Sequence, residues 1–362
     1  MSVTDPTRYD PDRSQLAELL EGEPAYRIEQ AWDGLYRQGR PLEEVTGLPA
    51  ALRSRLAEAL PTALELAVEQ RTDDGATTKW LWRLRDGAAV ETVLMHYPDR
   101  TTVCVSTQAG CAMACGFCAT GQAGFERHLG VGEIVEQVVR ARWAAGDRRV
   151  SNVVFMGMGE PLANLDATWG AVTRLHDDVG IGARHLTVST VGLVPGIRRL
   201  AAAELPVGLA VSLHAADDDL RDELVPINRR YPLAELLDAC EEYRRRTRRR
   251  ISLEWALIDG VNDRWVDADG LAVIARRLAA HVNLIPLNPT PGYEVVGSSR
   301  NRVHAFRERV AGAGVTVTIR DTRGRDIDAA CGQLRAGSAP SGTGAGVPVD
   351  LQRPDRTRRD PT

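Results

Sequence analysis

An α/β fold, a partial (β/α)6 TIM-like barrel, is the architecture written into this 362-residue chain. Apolar, β-branched runs recur at roughly 30–40-residue intervals between residues 101 and 289. A stretch of helical periodicity follows each run. Unusual polar motifs come directly after the runs, where barrels of this type carry their chemistry.

The chain opens differently. SQLAELL, RIEQAWDGLYRQ and LRSRLAEALPTALELAVEQ place apolar residues three and four apart, which predicts a small helical domain over residues 1–75. TTKWLWRL and AAVETVLMHY alternate around RDGA and predict a β-hairpin within residues 76–99. The barrel is expected over 100–334. Its strands are TTVCVST, VSNVVFMGMG, HLTVSTVG, VGLAVSLHA, ISLEWALID and HVNLIPLNP. Between them lie GEIVEQVVRARWAAG, TWGAVTRLHDDVG, PGIRRLAAAEL, LAELLDACEEYRRR and DGLAVIARRLAAH, and RVHAFRERVAGAG with VTVTIRD closes the unit. Residues 335–362 are rich in Gly, Pro, Ser and Arg and read as a disordered tail.

Composition narrows the class. Hydrophobic residues make up 43% and charged residues 26%, as in ordinary soluble proteins. There is no apolar run long enough to span a bilayer and no signal-peptide core near the start, so no membrane role and a cytoplasmic location are expected. In a reducing compartment six cysteines are better ligands or reactive thiols than a disulfide framework. The net charge of −4 requires any basic footprint for nucleic acid to be local. Lys79 is the only lysine, a skew toward arginine that reads as GC-rich coding bias without functional weight.

The densest chemistry is CVSTQAGCAMACGFC, residues 104–118. Cys111, Cys115 and Cys118 have the spacing C-x3-C-x2-C, while Cys104 fits no four-ligand pattern. Soft thiolates suit zinc or iron–sulfur clusters. Structural zinc wants four ligands, and a zinc site with a distant fourth ligand stays open as the alternative. Three cysteines on a four-iron cubane leave one iron free to chelate the amino and carboxylate groups of S-adenosylmethionine, whose sulfonium an electron then cleaves to a 5′-deoxyadenosyl radical. With Gly116-Phe117-Cys118 closing it, the motif resembles the radical SAM signature. In GMGEP, Gly157 and Gly159 would permit close backbone approach to a ligand, and Glu160 would accept from the methionine ammonium. Cys240, on the apolar face of LAELLDACEEY, reads as core. The run YRRRTRRR reads as a solvated helix end, with phosphate contact the alternative.

Taken together, CVSTQAGCAMACGFCATGQAGFERHL, VVFMGMGEPLANL, VSLHA, RDELVPIN, NLIPLNPTPG and TRGRDIDAACGQL resemble the RlmN/Cfr family of RNA adenosine methyltransferases over residues 15–335 or so. YRIEQAWDGLYRQG and DGATTKW bring the chain nearer the RlmN branch, which carries the N-terminal domain. The resemblance implies a radical SAM barrel, a [4Fe-4S] cluster on Cys111, Cys115 and Cys118, and two molecules of S-adenosylmethionine per methylation. It implies cofactor contacts at Gly159, Glu160, Ser189, Ser212, Leu213, His214 and Asn288, with Leu213 acting through its backbone.

The implied reaction answers why there are extra cysteines. Carbon 2 of adenine is electron-poor and cannot attack a methyl sulfonium, whereas a thiolate can. Cys331 matches the family's methyl-carrying cysteine, which becomes covalently joined to RNA. Cys104 matches the residue that resolves this adduct through a transient disulfide, and Glu91 matches the proton acceptor. Implied partners are 23S rRNA at the peptidyl transferase centre, tRNA at the adenosine 3′ of the anticodon, and a reductant such as a flavodoxin or ferredoxin system. A monomer is expected, with residues 1–75 as an RNA-binding accessory domain. Methylation of carbon 8, as in the Cfr branch, and a metal-stabilised RNA-binding protein without catalysis are the competing readings. Asp321 and His128 depart from the family's usual lysine and asparagine.

Overall fold

The computed structural model describes residues 6–288, 296–320, 327–329 and 333–334. Three helices lead: α1 (Arg13–Leu19), α2 (Tyr26–Tyr36) and α3 (Ala50–Ala59). Asp12 caps α1, accepting from the Gln15 amide at 2.9 Å while the Gln15 side chain accepts from the Asp12 amide at 2.9 Å. Trp32 of α2 donates to Asp178 at 2.8 Å, and the Ala63 amide donates to the buried Glu136 carboxylate at 2.7 Å. These bonds fasten the N-terminal segment to the outside of the barrel.

The stretch ALELAVEQ is not the end of a helix: β1 (Leu64–Thr72) pairs antiparallel with β2 (Thr77–Leu84). Pro61 lies just past α3, and the loop TDDG supplies three consecutive positive-φ residues, Asp73 (56°), Asp74 (53°) and Gly75 (84°), that reverse the chain. β1 is the exposed edge of the sheet, and its Glu65, Glu69 and Arg71 guard that edge with charge. β2 continues antiparallel to β3 (Ala89–His96), the expected hairpin, and β3 to β4 (Thr101–Cys104).

From β4 onward the sheet is parallel. After β4 come a two-stranded ribbon of β5 (Gln108–Gly110) and β6 (Phe125–His128), with the short α4 (Ala119–Ala123) between them, and then α5 (Val131–Ala145). The units β7 (Asn152–Phe155) with α6 (Leu165–Asp177) and β8 (Leu186–Thr190) with α7 (Val194–Ala201) follow. β9 (Gly208–Ser212) leads to α8 (Asp218–Leu224) and α9 (Leu233–Thr247). β10 (Ile251–Leu257) with α10 (Trp265–Leu278), β11 (His281–Pro286) with α11 (Arg300–Gly312), and β12 (Thr316–Ile319) complete the described chain. The order β1-β2-β3-β4-β7-β8-β9-β10-β11-β12 is open at both ends, a partial barrel of six β/α units plus a closing strand. The sequence stretch read as a tail lies outside the described residues.

Register decides which side chains face inward. Directly paired residues project from the same face. Lys79 pairs with Val93, Val93 with Cys104, Cys104 with Val154 and Val154 with Thr187. Two residues along, Ser189 pairs with Ala210; Ser212 pairs with Glu254, and Glu254 with Asn283. One continuous concave face therefore runs from the hairpin through the whole parallel sheet.

Candidate active site

The first strand end is clamped before the cysteines begin. Buried Gln137 of α5 accepts from the Ser106 amide at 2.8 Å and donates to the Ser106 carbonyl at 3.0 Å. Asn164 donates to the carbonyls of Thr107 and Leu129 at 2.9 and 2.8 Å. The β5–β6 ribbon then frames residues 111–124, and the Cys111 amide donates to the Gly124 carbonyl at 2.7 Å.

Cys111, Cys115 and Cys118 all line one cavity at the carboxyl ends of the strands. Burial pushes the Cys111 thiol up to about 12 and Cys115 well above its ordinary value, and the neighbouring thiols add to the rise at Cys115. A metal must therefore displace protons to bind here. Among the described residues no three His, Cys, Asp or Glu side chains form a site for a metal ion. Three soft sulfurs distributed around a shared cavity suit a polynuclear iron–sulfur group, which takes each thiolate at a separate iron.

The second strand end packs against the first. A β-carbon on Gly157 would lie 2.6 Å from the Val105 carbonyl oxygen, and one on Gly159 (φ 103°) would lie 2.6 Å from the Gln108 β-carbon. Both glycines also line the cavity, and the close approach seen here is to the chain between β4 and the cysteine loop. Glu160 is buried, and each of its oxygens accepts one backbone amide: Leu162 at 3.0 Å and Val191 at 2.9 Å. Burial pushes its carboxyl up to about 7, against the pull of those amides.

Gly159, Glu160, Ser189, Ser212, His214 and Asn288 line the same cavity as the cysteines. The Ser189 hydroxyl donates to the Phe155 carbonyl at 2.8 Å. His214 has φ 59°, accepts the Ala256 amide on Nδ1 at 3.0 Å, and meets the edge of Phe117 at 4.7 Å between centroids. Burial holds its imidazole down at about 3, so the neutral ring carries its proton on Nε2. Leu213 lies behind the cavity wall, fully buried, with its amide donating to the Glu254 carbonyl at 3.0 Å.

Glu91 and Cys104 do not line that cavity but share the concave face on which it opens. Both are buried, and the Glu91 carboxylate pairs with Lys79 at 3.2 Å. Cys331 lies outside the described residues; Asp328 and Leu334 on either side of it are described. The Asp328 carbonyl accepts from Lys79 at 3.3 Å, and the Leu334 carbonyl accepts from Thr120 of α4 at 2.7 Å.

Sequence reasoning passed over Arg221. Its side chain is buried, and it donates to the carbonyls of Val191 (2.6 Å), Ser212 (3.3 Å) and Leu213 (3.0 Å) and to Asn228 (2.7 Å). One guanidinium so ties the ends of β8 and β9 around the cavity. Glu254, which also lines the cavity and accepts from Ser252 and Asn283 at 2.8 and 2.7 Å, was missed as well. An acid inside an apolar strand, LEWAL, was the available signal. Cys240 is fully buried in α9, as expected for core.

Residues 105–269 match the model of the Radical SAM superfamily. A protein of Salinispora tropica, described as "Probable dual-specificity RNA methyltransferase RlmN", is 53% identical over 332 residues, covering 88% of this chain and 89% of its own. One of the same description from Chloroflexus aurantiacus is 53% identical over 344 residues, covering 90% and 92%. The crystal structure of a radical SAM methyltransferase from Sphaerobacter thermophilus superposes with a TM-score of 0.88 at 50% identity, over 92% of this chain and all of that one. No helix among the described residues is long and apolar enough to cross a membrane. The protein is an enzyme that uses a [4Fe-4S] cluster and S-adenosylmethionine to methylate RNA: it belongs to the RlmN family of radical SAM methyltransferases.

Proposed function

We propose that the enzyme methylates carbon 2 of adenosine in 23S rRNA, at the peptidyl transferase centre, and in tRNA, at the adenosine 3′ of the anticodon. This reading is supported by the likeness to relatives described as dual-specificity RNA methyltransferases RlmN, together with the shared concave face: Glu91 and Cys104 project from the same side of the sheet as the cavity-lining Ser212 and Glu254. Chain segments flanking Cys331 are hydrogen-bonded to Lys79 on that face and to Thr120, two residues past Cys118.

When held by Cys111, Cys115 and Cys118 and by the rim residues, the cluster and S-adenosylmethionine supply one-electron cleavage of the sulfonium and the methyl carbon. The rest falls to the chain. Glu160 keeps lone pairs for the methionine ammonium beyond the two amides it already accepts. Neutral His214 has Nε2–H left to donate, and Ser189, Ser212, Asn288 and Gly159 on the same cavity complete the cofactor contacts, with Leu213 backing the wall behind them. Cys331 takes the methyl group on sulfur; that methyl then loses one hydrogen atom to the cofactor's radical chemistry, which takes back one electron as the carbon bonds to adenine carbon 2. Glu91 accepts the proton from adenine carbon 2. The Cys104 thiolate then attacks the Cys331 sulfur; the carbon–sulfur bond breaks, its electron pair stays with the RNA carbon, and protonation there completes the methyl group. The resulting disulfide is returned to two thiols by an external dithiol.

Residues 1–75 serve in this reading as an RNA-binding accessory domain. The enzyme works as a cytoplasmic monomer, with a flavodoxin or ferredoxin system as electron source. The test is direct: anaerobically reconstituted enzyme is incubated with unmodified tRNA and with a 23S rRNA fragment, and nucleoside digests are separated by mass spectrometry. 2-Methyladenosine in both RNAs is the expected product. 8-Methyladenosine, or no methyladenosine, overturns the assignment.

A further inference from the structure

Lys79 is the single lysine among 45 basic side chains, and it is 7% exposed. Coding bias toward arginine accounts for the surface but not for a lysine kept at this buried point. The side chain projects from β2 onto the concave face, where its Nζ stands 3.2 Å from Glu91 Oε1. The two side chains are 9% and 4% exposed, so the pair is shielded from water. The same Nζ donates to the Asp328 carbonyl at 3.3 Å, three residues before Cys331. A buried carboxylate without an opposite charge is costly, and the rotamer that reaches the cation is strongly favoured over the alternatives. A compact ammonium can serve a carboxylate and a carbonyl from one atom, whereas the longer, planar guanidinium of arginine cannot sit at the same point.

We propose that Lys79 is a positioning residue for the methyl-transfer step: it fixes the Glu91 carboxylate and, through Asp328, sets the segment leading to Cys331 against that carboxylate. The inference rests on the reading of Glu91 as proton acceptor and Cys331 as methyl carrier. It adds a residue whose one ammonium bridges the Glu91 carboxylate and the Asp328 carbonyl.

The test uses full-length, cluster-loaded enzyme with unmodified tRNA and compares Lys79→Met, Glu91→Gln and the double variant. If Lys79 acts through Glu91, Lys79→Met lowers kcat at least about tenfold with KM for tRNA nearly unchanged. S-methylation of Cys331, read by peptide mass, proceeds as in the parent, and protein–RNA adduct accumulates. The double variant is no slower than Glu91→Gln alone, the non-additivity expected when one residue works through the other. Wild-type turnover by Lys79→Met, or losses that multiply in the double variant, overturns the proposal. Where Lys79→Met fails to retain iron, Lys79→Gln, which keeps a donor for the Asp328 carbonyl without the charge, is judged by the same two criteria. Full activity in Glu91→Gln instead defeats the reading of Glu91 itself, a result distinct from an inert Lys79 beside an essential Glu91.

Discussion

Glu91 stands diagonal to Cys104 across the β3–β4 pair: Val93, two residues on from Glu91, is the direct partner of Cys104. The Ser106 hydroxyl, two residues past Cys104, donates to the Glu91 carbonyl at 2.6 Å and locks the two strands at this level. Diagonal neighbours of this kind have their backbones about 7–8 Å apart, within the span of one base held between them. In the proposed reaction this places the proton acceptor and the resolving thiol on adjacent strands, side by side on one face.

The three cavity cysteines and Cys240 should separate cleanly. Cys118→Ala is expected to lose most of the roughly four irons that anaerobic reconstitution gives the parent. Cys240→Ala, in the fully buried core of α9, should keep its iron and lose only about 1 kcal/mol of stability. Iron and sulfide assays with a urea titration check both.

Gly157→Ala would place a β-carbon 2.6 Å from the Val105 carbonyl oxygen and force the first two barrel strands apart at the rim. A loss of about 2 kcal/mol is expected, with weaker S-adenosylmethionine binding by calorimetry. Gly312→Ala, whose β-carbon meets open space at the end of α11, should be neutral or mildly stabilising.

Arg221→Met removes the donor shared by the Val191, Ser212 and Leu213 carbonyls. Leaving such buried groups unpaired costs about 3 kcal/mol. A lowered denaturation midpoint and reduced cofactor affinity are the expected signs.

Acid should act through His214. Burial lowers its pKa to about 3 in the fold, against about 6.5 when unfolded. Below about 6.5 the unfolded chain gains a proton that the fold refuses, so stability falls as pH drops toward about 3, by at most ~1.4 kcal/mol per pH unit. Above about 6.5 the contribution is complete and flat. Denaturation of cofactor-free protein at pH 7 and pH 5 should show a shallower acid loss for His214→Asn than for the parent.

The parallel strands were legible as short runs rich in β-branched and apolar residues set between stretches of helical periodicity. β1 was not, since an edge strand facing water needs no apolar alternation, and LELAVEQ mimics a helix until the TDDG turn is given its weight. The cysteine spacing and rim motifs were legible as local patterns. Arg221 was hidden in DDDLRDEL, which has the composition of a solvated helix; only the tertiary fold turns that one residue inward. Lys79 was visible as a count of one and was dismissed, because a count says nothing of burial. Gly157 and Gly159 were noticed for close approach, and the fold adds a neighbouring chain segment as one partner of that approach.

Whether Cys331 and Cys104 act in succession on one RNA carbon is tested most directly with Cys104→Ala. The purified, reconstituted variant is incubated with unmodified tRNA and S-adenosylmethionine, and the mixture is resolved by denaturing electrophoresis and intact mass. Cys331 is expected to be methylated as usual while a covalent protein–tRNA species builds up, with little free product. Normal release of methylated tRNA, or absence of any adduct while Cys331 is fully methylated, would contradict it.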